Sequence, residues 1–194
     1  MIGQRLCQLL AGDSVSSPVV VTGRPSKDRD ALSELNLDGV RMIDISGGWD
    51  DVDIDLVVLC SPEHRHVDEA RAALARGCHV VSLADSAASV SELLSLSEFA
   101  REVDRTVVAG AAASPGLSTL LAMHGSTLFE RIDEVAIAVT GTAGPACIER
   151  RSRANRTEMQ EWRDGEWVDC GPRSAPELVF YPTRSAASSA PAVI

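Results

Sequence analysis

The chain has 194 residues, of which 45% are apolar and 24% are charged, and its formal net charge is −10. This apolar content is enough to form a core and excludes a disordered chain, while the negative charge disfavours binding to nucleic acid or to an anionic membrane surface. No apolar run approaches the roughly 18 residues that a membrane span needs, and the N-terminus reads as an amphipathic helix rather than a signal peptide. We therefore expect a cytoplasmic protein with no nucleic-acid or membrane partner.

The number and spacing of the cysteines argue against a zinc-binding or disulfide-rich protein. They are odd in number and widely separated, and no two form a C-x-x-C pair: Cys7, Cys60, Cys78, Cys147 and Cys170. Neither a zinc site nor a disulfide framework fits this spacing, so we expect reduced thiols and no metal.

Predicted helices and strands alternate along the first two thirds of the chain. An N-terminal helix with Ile2, Leu6, Leu9 and Leu10 on one face ends near Gly12. The predicted strands that follow span residues 18–22, 40–45, 55–60, 78–83 and 106–110. The predicted helices span residues 27–37 and 65–76, and two more begin at a Ser89/Glu92 capping box and at Ser114-Pro115. Strands that alternate with helices of about 10–15 residues predict right-handed βαβ units and a parallel sheet.

The pattern changes after Phe129. Residues 132–139 alternate partly, as in a strand with one wet face, and residues 162–168 predict a hairpin that turns on Asp164-Gly165. We therefore expect a dinucleotide-binding domain over residues 1–128 and part of an α+β substrate or dimerisation domain over residues 129–182. The Ser-, Ala- and Pro-rich residues 183–194 predict a disordered tail.

Gly3 bears on the fold class. In a dinucleotide-binding domain the first strand leads into G-x-G-x-x-G, and the third glycine lies where the helix packs against that strand. Gly3 fits the third glycine, with nothing upstream for the other two, although a small helix residue without a ligand is the alternative. We expect a Rossmann-type doubly wound parallel sheet that lacks its first strand.

The residues at the end of the predicted strand 18–22 indicate which dinucleotide the chain would bind. NAD enzymes usually carry Asp or Glu there to bind the ribose 2′-hydroxyl, but this strand ends in Thr22-Gly23-Arg24. An arginine can bind a 2′-phosphate with two hydrogen bonds, and glycine lets the backbone approach the ligand. These residues favour NADP over NAD, and a solvated surface arginine is the alternative.

Three further strand ends are expected at the ligand-binding rim, because such sheets bind ligands at the carboxyl ends of their strands. The expected cofactor contacts there are Cys60, Ser61, Pro62, Leu83, Ala84 and Asp85. The expected substrate contacts are Ser114, Pro115 and Gly116. His64 and His66 do not share a helix face, so solvent-exposed or helix-start positions fit them better than a metal site. Asp85 or His124 could act as an acid or base, but neither stands out, and the catalytic residue stays unassigned.

The stretch from Leu56 to Ala122 resembles the NADP-binding region of the saccharopine dehydrogenase-like oxidoreductases. The matching segments are Ser61-Pro62, Ala73 to Val81, Val108-Ala109-Gly110 and Ser114 to Ala122. Thr140 to Cys147 and Trp162 to Val168 resemble the opening of that family's second domain. The resemblance implies NADP(H)-dependent hydride transfer on a small amino-acid-derived or related substrate, and a homodimer through the second domain. Because the glycine fingerprint is reduced to Gly3 and most of a substrate domain is missing, we expect a chain truncated at both ends.

Three alternatives stay open. The chain is similar to the glucose-fructose oxidoreductase-like family in Pro62, His66, Gly77, His79 and Val80, but Ala84-Asp85-Ser86 stands where that family usually has Glu-Lys-Pro. A non-catalytic NADP-binding module would explain the lack of an evident acid or base. An inactive fragment would follow from the missing first strand, whose loss leaves two half-sheets with unpaired edges.

Overall fold

A computed structural model describes residues 2–11, 19–23, 40–44, 52–135, 137, 148–149, 159–163, 165–170, 178–180 and 191–193. The chain divides into two compact units, Met1–Leu128 and Phe129–Ile194. Across the described residues, no helix is both long and apolar enough to cross a membrane.

The first unit alternates helices with strands. Its helices are α1 (Ile2–Ala11), α2 (His66–Ala75), α3 (Ala87–Leu94), α4 (Ser97–Glu102) and α5 (Leu117–Ser126), and a 3-10 turn, Glu63–Arg65, precedes α2. Its strands are β1 (Val19–Gly23), β2 (Val40–Asp44), β3 (Leu56–Leu59), β4 (His79–Ser82) and β5 (Val107–Val108). This arrangement confirms the α/β class. The helix predicted over residues 27–37 lies outside the described residues.

The strands of this unit form two parallel sheets. β1 pairs with β2, with Val19 opposite Val40. β4 lies in the middle of the second sheet, between β3 and β5, with Leu56 opposite His79 and Val80 opposite Val107. Among the described residues no hydrogen-bonded pairing joins the two sheets.

The core lies between the three-stranded sheet and the helices α2, α3 and α4. Ala70, Ala73 and Leu74 are fully buried along one face of α2, at the spacing that places side chains on the same side of a helix. The two alanines let α2 approach β3 and β4 closely, and Val80 and Leu93 close the cluster. Burying a leucine such as Leu74 contributes about 1.5–3 kcal/mol relative to leaving it exposed.

The structure corrects the predicted start of the helix after β4. Ser86 is its N-cap, because the Ser86 Oγ accepts a hydrogen bond from the Ser89 amide at 3.2 Å. The capping box predicted at Ser89 is therefore wrong: the N-cap lies three residues earlier, and α3 begins at Ala87. The predicted single helix also divides into α3 and α4, so that Leu96 is buried while Leu94 is 58% exposed.

Two other helix predictions also need correction. α5 begins at Leu117 rather than at Ser114-Pro115, because those two residues lie in a tight turn that Gly116 closes. On α1, Ile2 and Leu9 of the predicted apolar face are exposed, and Cys7 is buried instead. The buried side of α1 is set by the contact of Gly3 with the end of β3, one helical turn before Cys7.

The second unit contains four described strands. β6 (Met159–Arg163) and β7 (Glu166–Cys170) form the predicted hairpin, with Gly165 at a φ of 87° in the turn. Glycine adopts this left-handed conformation without the steric penalty of a Cβ. β8 (Leu178–Phe180) pairs with β9 (Pro191–Val193), so three residues of the predicted disordered tail form a strand against an apolar partner. Residues 132–135, predicted as a strand, are in none and are exposed.

Candidate functional site

The carboxyl edge of the three-stranded sheet collects the sequence-predicted strand ends. Because β3, β4 and β5 are parallel, the residues that follow them leave the sheet at the same edge. The Leu83 amide donates to the Leu59 carbonyl at 3.2 Å, and the Ala111 amide donates to the Ser82 carbonyl at 2.9 Å. These bonds carry the ladder past the strand ends and bring the predicted residues 60–62 and 83–85 side by side.

These residues differ in how far they are exposed to solvent. Cys60 and Pro62 are exposed, Ser61, Leu83 and Asp85 are half-buried, and Ala84 is fully buried. Because Ala84 is fully buried, its side chain cannot contact a ligand. The candidate contact surface is therefore formed by the loop Cys60–Pro62 together with Leu83 and Asp85.

The Ser61 hydroxyl is held by α2. It donates to a carboxylate oxygen of Glu69 at 2.5 Å, and the other oxygen of Glu69 forms an ion pair with Arg65 at 2.9 Å. A donated hydroxyl proton is not free to bind a ligand, although the oxygen can still accept a hydrogen bond. The loop after β3 is thus fixed to the first turns of α2.

His66 occupies the first position of α2 and is only 1% exposed. Its Nε2 lies 2.8 Å from the Ser61 carbonyl oxygen, and its Nδ1 lies 2.8 Å from the Ser82 Oγ. A carbonyl oxygen only accepts, so Nε2 must carry a proton, and in the neutral ring Nδ1 accepts from the Ser82 hydroxyl. The Ser82 Oγ accepts in turn from the Ala84 amide at 3.1 Å.

A second tie joins the same two loops nearer the surface. The Ser86 amide, in the loop after β4, donates to the Glu63 Oε2 at 3.2 Å. Glu63 belongs to the 3-10 turn that follows the loop after β3. The two loops are therefore linked once in the interior, through His66 and Ser82, and once outside.

The N-terminus of α1 lies at this edge as well. A Cβ added at Gly3 would lie 3.4 Å from the Cys60 Cβ and 3.7 Å from its Sγ, so helix and strand end approach as closely as a side chain at residue 3 permits. α1 also packs against β1. The unpaired amides at a helix N-terminus carry partial positive charge and favour anions.

The thiols at and below this edge are protonated at neutral pH. Partial burial of the Cys60 sulfur beside α1 raises its pKa above the usual 9.0, and its interaction with Cys7 raises it further. Burial also raises the pKa of Cys7 and of Cys78, whose Sγ donates to the Ile54 carbonyl at 3.0 Å. A protonated thiol is a poor nucleophile and metal ligand.

The loop after β5 carries the predicted substrate contacts. Ser114 and Pro115 are exposed and joined by a cis peptide bond, and Gly116 has a φ of 119°. The Ala112 amide donates to the Pro115 carbonyl at 3.2 Å, and the Leu117 amide donates to the Ala112 carbonyl at 3.0 Å. The turn is thus well defined and holds Ser114 and Pro115 at the surface.

The structure describes only some of the remaining residues that the sequence predicted for the site. Thr22 and Gly23 end β1, opposite Ile43 and Asp44 of β2, and Arg24 lies outside the described residues. His64 is exposed, in contrast to His66. Over the part of the chain that the structure describes, no group of three or more metal-ligating side chains forms.

Sequence reasoning missed the pairing of His66 with Ser82. Each residue gave a local pattern, a histidine at a helix start after Ser-Pro and a serine at a strand end, but nothing in the sequence paired them. The contact depends on the register that sets Leu59 beside Ser82 across two strands.

Comparison with known proteins assigns no family. No protein-family model matches the chain, and no curated protein matches it either. The function is therefore inferred from the geometry of the sheet edge and from its residues.

Proposed function

We propose that the first unit binds NADP(H) at the carboxyl edge of its sheet and is the cofactor domain of an oxidoreductase of the saccharopine dehydrogenase-like type. The observation that carries the proposal is the packing of α1 against the end of β3 through Gly3. In dinucleotide-binding domains the third glycine lies near the start of the first helix, and the pyrophosphate binds at the N-terminus of that helix.

The two parallel sheets support a doubly wound arrangement. In the strand order 3-2-1-4-5-6, the second and third strands form one flank and the fourth to sixth form the other. The two-stranded sheet β1–β2 and the three-stranded sheet β3–β4–β5 correspond to these flanks, and a first strand in that order would lie between β1 and β3. α1 packs on β1 and touches the residue after β3, so it spans that place.

Two segments of the chain refine the proposal. Arg24 directly follows β1, where an arginine can bind the 2′-phosphate that distinguishes NADP from NAD. The exposed Ser114-Pro115 turn follows β5 at the same sheet edge as the cofactor loops, which suits contacts to a small substrate. Hydride transfer requires the reactive atom of the cofactor to lie against the substrate, so we propose that both bind at this edge.

A fluorescence titration tests cofactor binding. The whole chain should change the emission of NADPH more strongly than that of NADH. Arg24→Ala should weaken NADPH binding about tenfold, the size of a lost charge-assisted contact of roughly 1.5 kcal/mol, and should leave NADH binding unchanged. Arg71→Ala, at an exposed arginine of α2, is the matched control and should bind NADPH like the native chain.

Turnover separates an enzyme from a binding module. Loss of NADPH absorbance in the presence of small amino-acid-derived imines or carbonyl compounds would support hydride transfer. Binding without turnover across that substrate class would leave a non-catalytic NADP-binding module. A folded chain that binds neither nucleotide would refute the proposal.

A further inference from the structure

We infer that His66 and Ser82 are positioning residues, which fix the loop after β3 relative to the loop after β4 so that both present their backbone to the same ligand. The inference rests on the proposed function where that ligand is NADP(H). The juxtaposition itself rests on the hydrogen bonds and burial of the two side chains.

The pair stands apart from the rest of the core. Among the residues whose burial is described, His66 and Ser82 are the buried polar side chains, at 1% and 0% exposure, and the buried Ala70 and Val80 lie on the same elements. A buried polar group without a partner destabilises the folded state, so a polar pair persists in such a place only when its hydrogen bonds are made. No buried side-chain nitrogen or oxygen in the described part of the chain lacks a partner.

The bonds of the pair reach the backbone of both loops. His66 donates from Nε2 to the Ser61 carbonyl and accepts at Nδ1 from Ser82. Ser82 accepts from the Ala84 amide. One continuous path thus runs from the peptide group after β3 to the peptide group after β4, and each of its bonds has a required direction.

This directionality distinguishes positioning from packing. An apolar pair of similar volume could fill the same space with little loss of stability, since replacing both partners of a hydrogen bond is often nearly neutral. Such a pair would not fix the orientation of the Ser61 and Ala84 peptide groups. Side chains that hold binding loops in one geometry act on affinity by preorganisation.

Three substitutions each break a different part of this hydrogen-bond path. His66→Asn keeps an acceptor near the Nδ1 position for Ser82 but cannot reach the Ser61 carbonyl. His66→Gln keeps a donor near the Nε2 position and loses the bond to Ser82. Ser82→Ala removes the central hydroxyl with almost no change in volume, and it is the variant expected to fold if the other two do not.

Two control substitutions accompany them. His64→Gln changes an exposed histidine two residues away. Ala70→Gly destabilises α2 through its lower helix propensity and through the loss of a buried methyl group, and it touches none of the polar bonds. A variant that acts only through stability should behave like Ala70→Gly.

Two readouts are measured on the full chain, below the melting temperature of every variant. In the first, His66→Asn, His66→Gln and Ser82→Ala should each raise the NADPH dissociation constant about tenfold, while both controls leave it unchanged. The double variant His66→Gln/Ser82→Ala should bind no more weakly than Ser82→Ala, because both single changes break the same path. In the second, amide hydrogen exchange should accelerate in both loops and remain native in α4.

The outcomes separate this inference from the proposed function. If the three variants bind NADPH and exchange like Ala70→Gly, the pair is structural only and the inference is wrong. If the native chain binds no NADPH, the proposed function fails, and hydrogen exchange alone decides the inference. Faster exchange in both loops would then support it, and native exchange in either loop of Ser82→Ala would overturn it.

Discussion

Gly116 offers a sharp test of the turn between β5 and α5. The residue has a φ of 119°, a backbone conformation that residues with a side chain rarely adopt. A Cβ added there would lie 2.3 Å from the Ala112 carbonyl oxygen, 2.7 Å from the Gly110 carbonyl oxygen and 2.8 Å from the Ala112 nitrogen. All three are backbone atoms, so no side chain can rotate away. Gly116→Ala must therefore change the path of the turn.

The turn can respond to the added Cβ in one of two ways, and each way has a cost. Holding a residue other than glycine in a sparsely populated conformation costs about 1–3 kcal/mol. If the turn opens instead, the hydrogen bond from the Leu117 amide to the Ala112 carbonyl and that from the Ala112 amide to the Pro115 carbonyl are lost. Each such bond contributes about 0.5–1.5 kcal/mol. We expect a loss on the order of 3 kcal/mol, or a fall in Tm of about 10 °C.

Gly125 provides the matched control within the same segment. It lies inside α5 with nothing within 4 Å of an added Cβ. Gly125→Ala should therefore stabilise the chain by about 0.5–1 kcal/mol through helix propensity. Urea unfolding of the native chain and both variants gives the comparison. The reasoning is refuted if Gly116→Ala unfolds at the native midpoint, or if the two substitutions shift it in the same direction.

Three further predictions concern the core, the thiols and α1. Leu74→Ala removes a fully buried side chain and should cost about 2–5 kcal/mol in urea unfolding, whereas Leu94→Ala, at a 58% exposed position, should change stability by less than about 0.5 kcal/mol. Burial raises the pKa of the Cys60 and Cys78 thiols above 9.0, so their contribution to stability is fully present below pH 9.0 and is lost as pH rises through the folded-state pKa values. Urea-unfolding midpoints measured on both sides of pH 9.0 should fall as the pH rises, and they should fall less steeply in the double variant Cys60→Ser/Cys78→Ser. An equal slope in the native chain and the variant would contradict this. Gly3→Ala should bind NADPH almost normally, because its Cβ would lie 3.4 Å from that of Cys60, while the branched side chain of Gly3→Val should weaken binding about tenfold. Equal binding by both would argue against close packing at this helix start.

The alternation of elements was predictable because it depends on local patterns. Buried β-branched runs and helical spacing gave β3, α2 and β4 in order. Gly77, at a φ of 77°, follows the end of α2 as a glycine after a helix often does. Parallel pairing of β3 with β4 then follows from the helix that connects them.

The details that failed depend on tertiary contacts. Both Ser86 and Ser89 are suitable N-caps, and burial of Leu93 and Leu96 against the sheet favours the start at Ala87. The hydrogen bond between His66 and Ser82 that links the two loops could not be predicted from the sequence either. The two residues are 16 positions apart, and only the strand register brings them together. A local pattern can suggest that a residue is polar and near a strand end, but its partner depends on the fold.

The most direct test of NADP(H) binding at the carboxyl edge of the sheet is a map of backbone amide chemical shifts during titration of the full chain with NADPH. We predict that the largest changes fall in the loop Cys60–Glu63, in residues 83–86 and at the N-terminus of α1 near Gly3. Amides at the opposite edge, such as Asp55 and Thr106, should change little. Shifts confined to that opposite edge, or no saturable shift at all, would contradict the account.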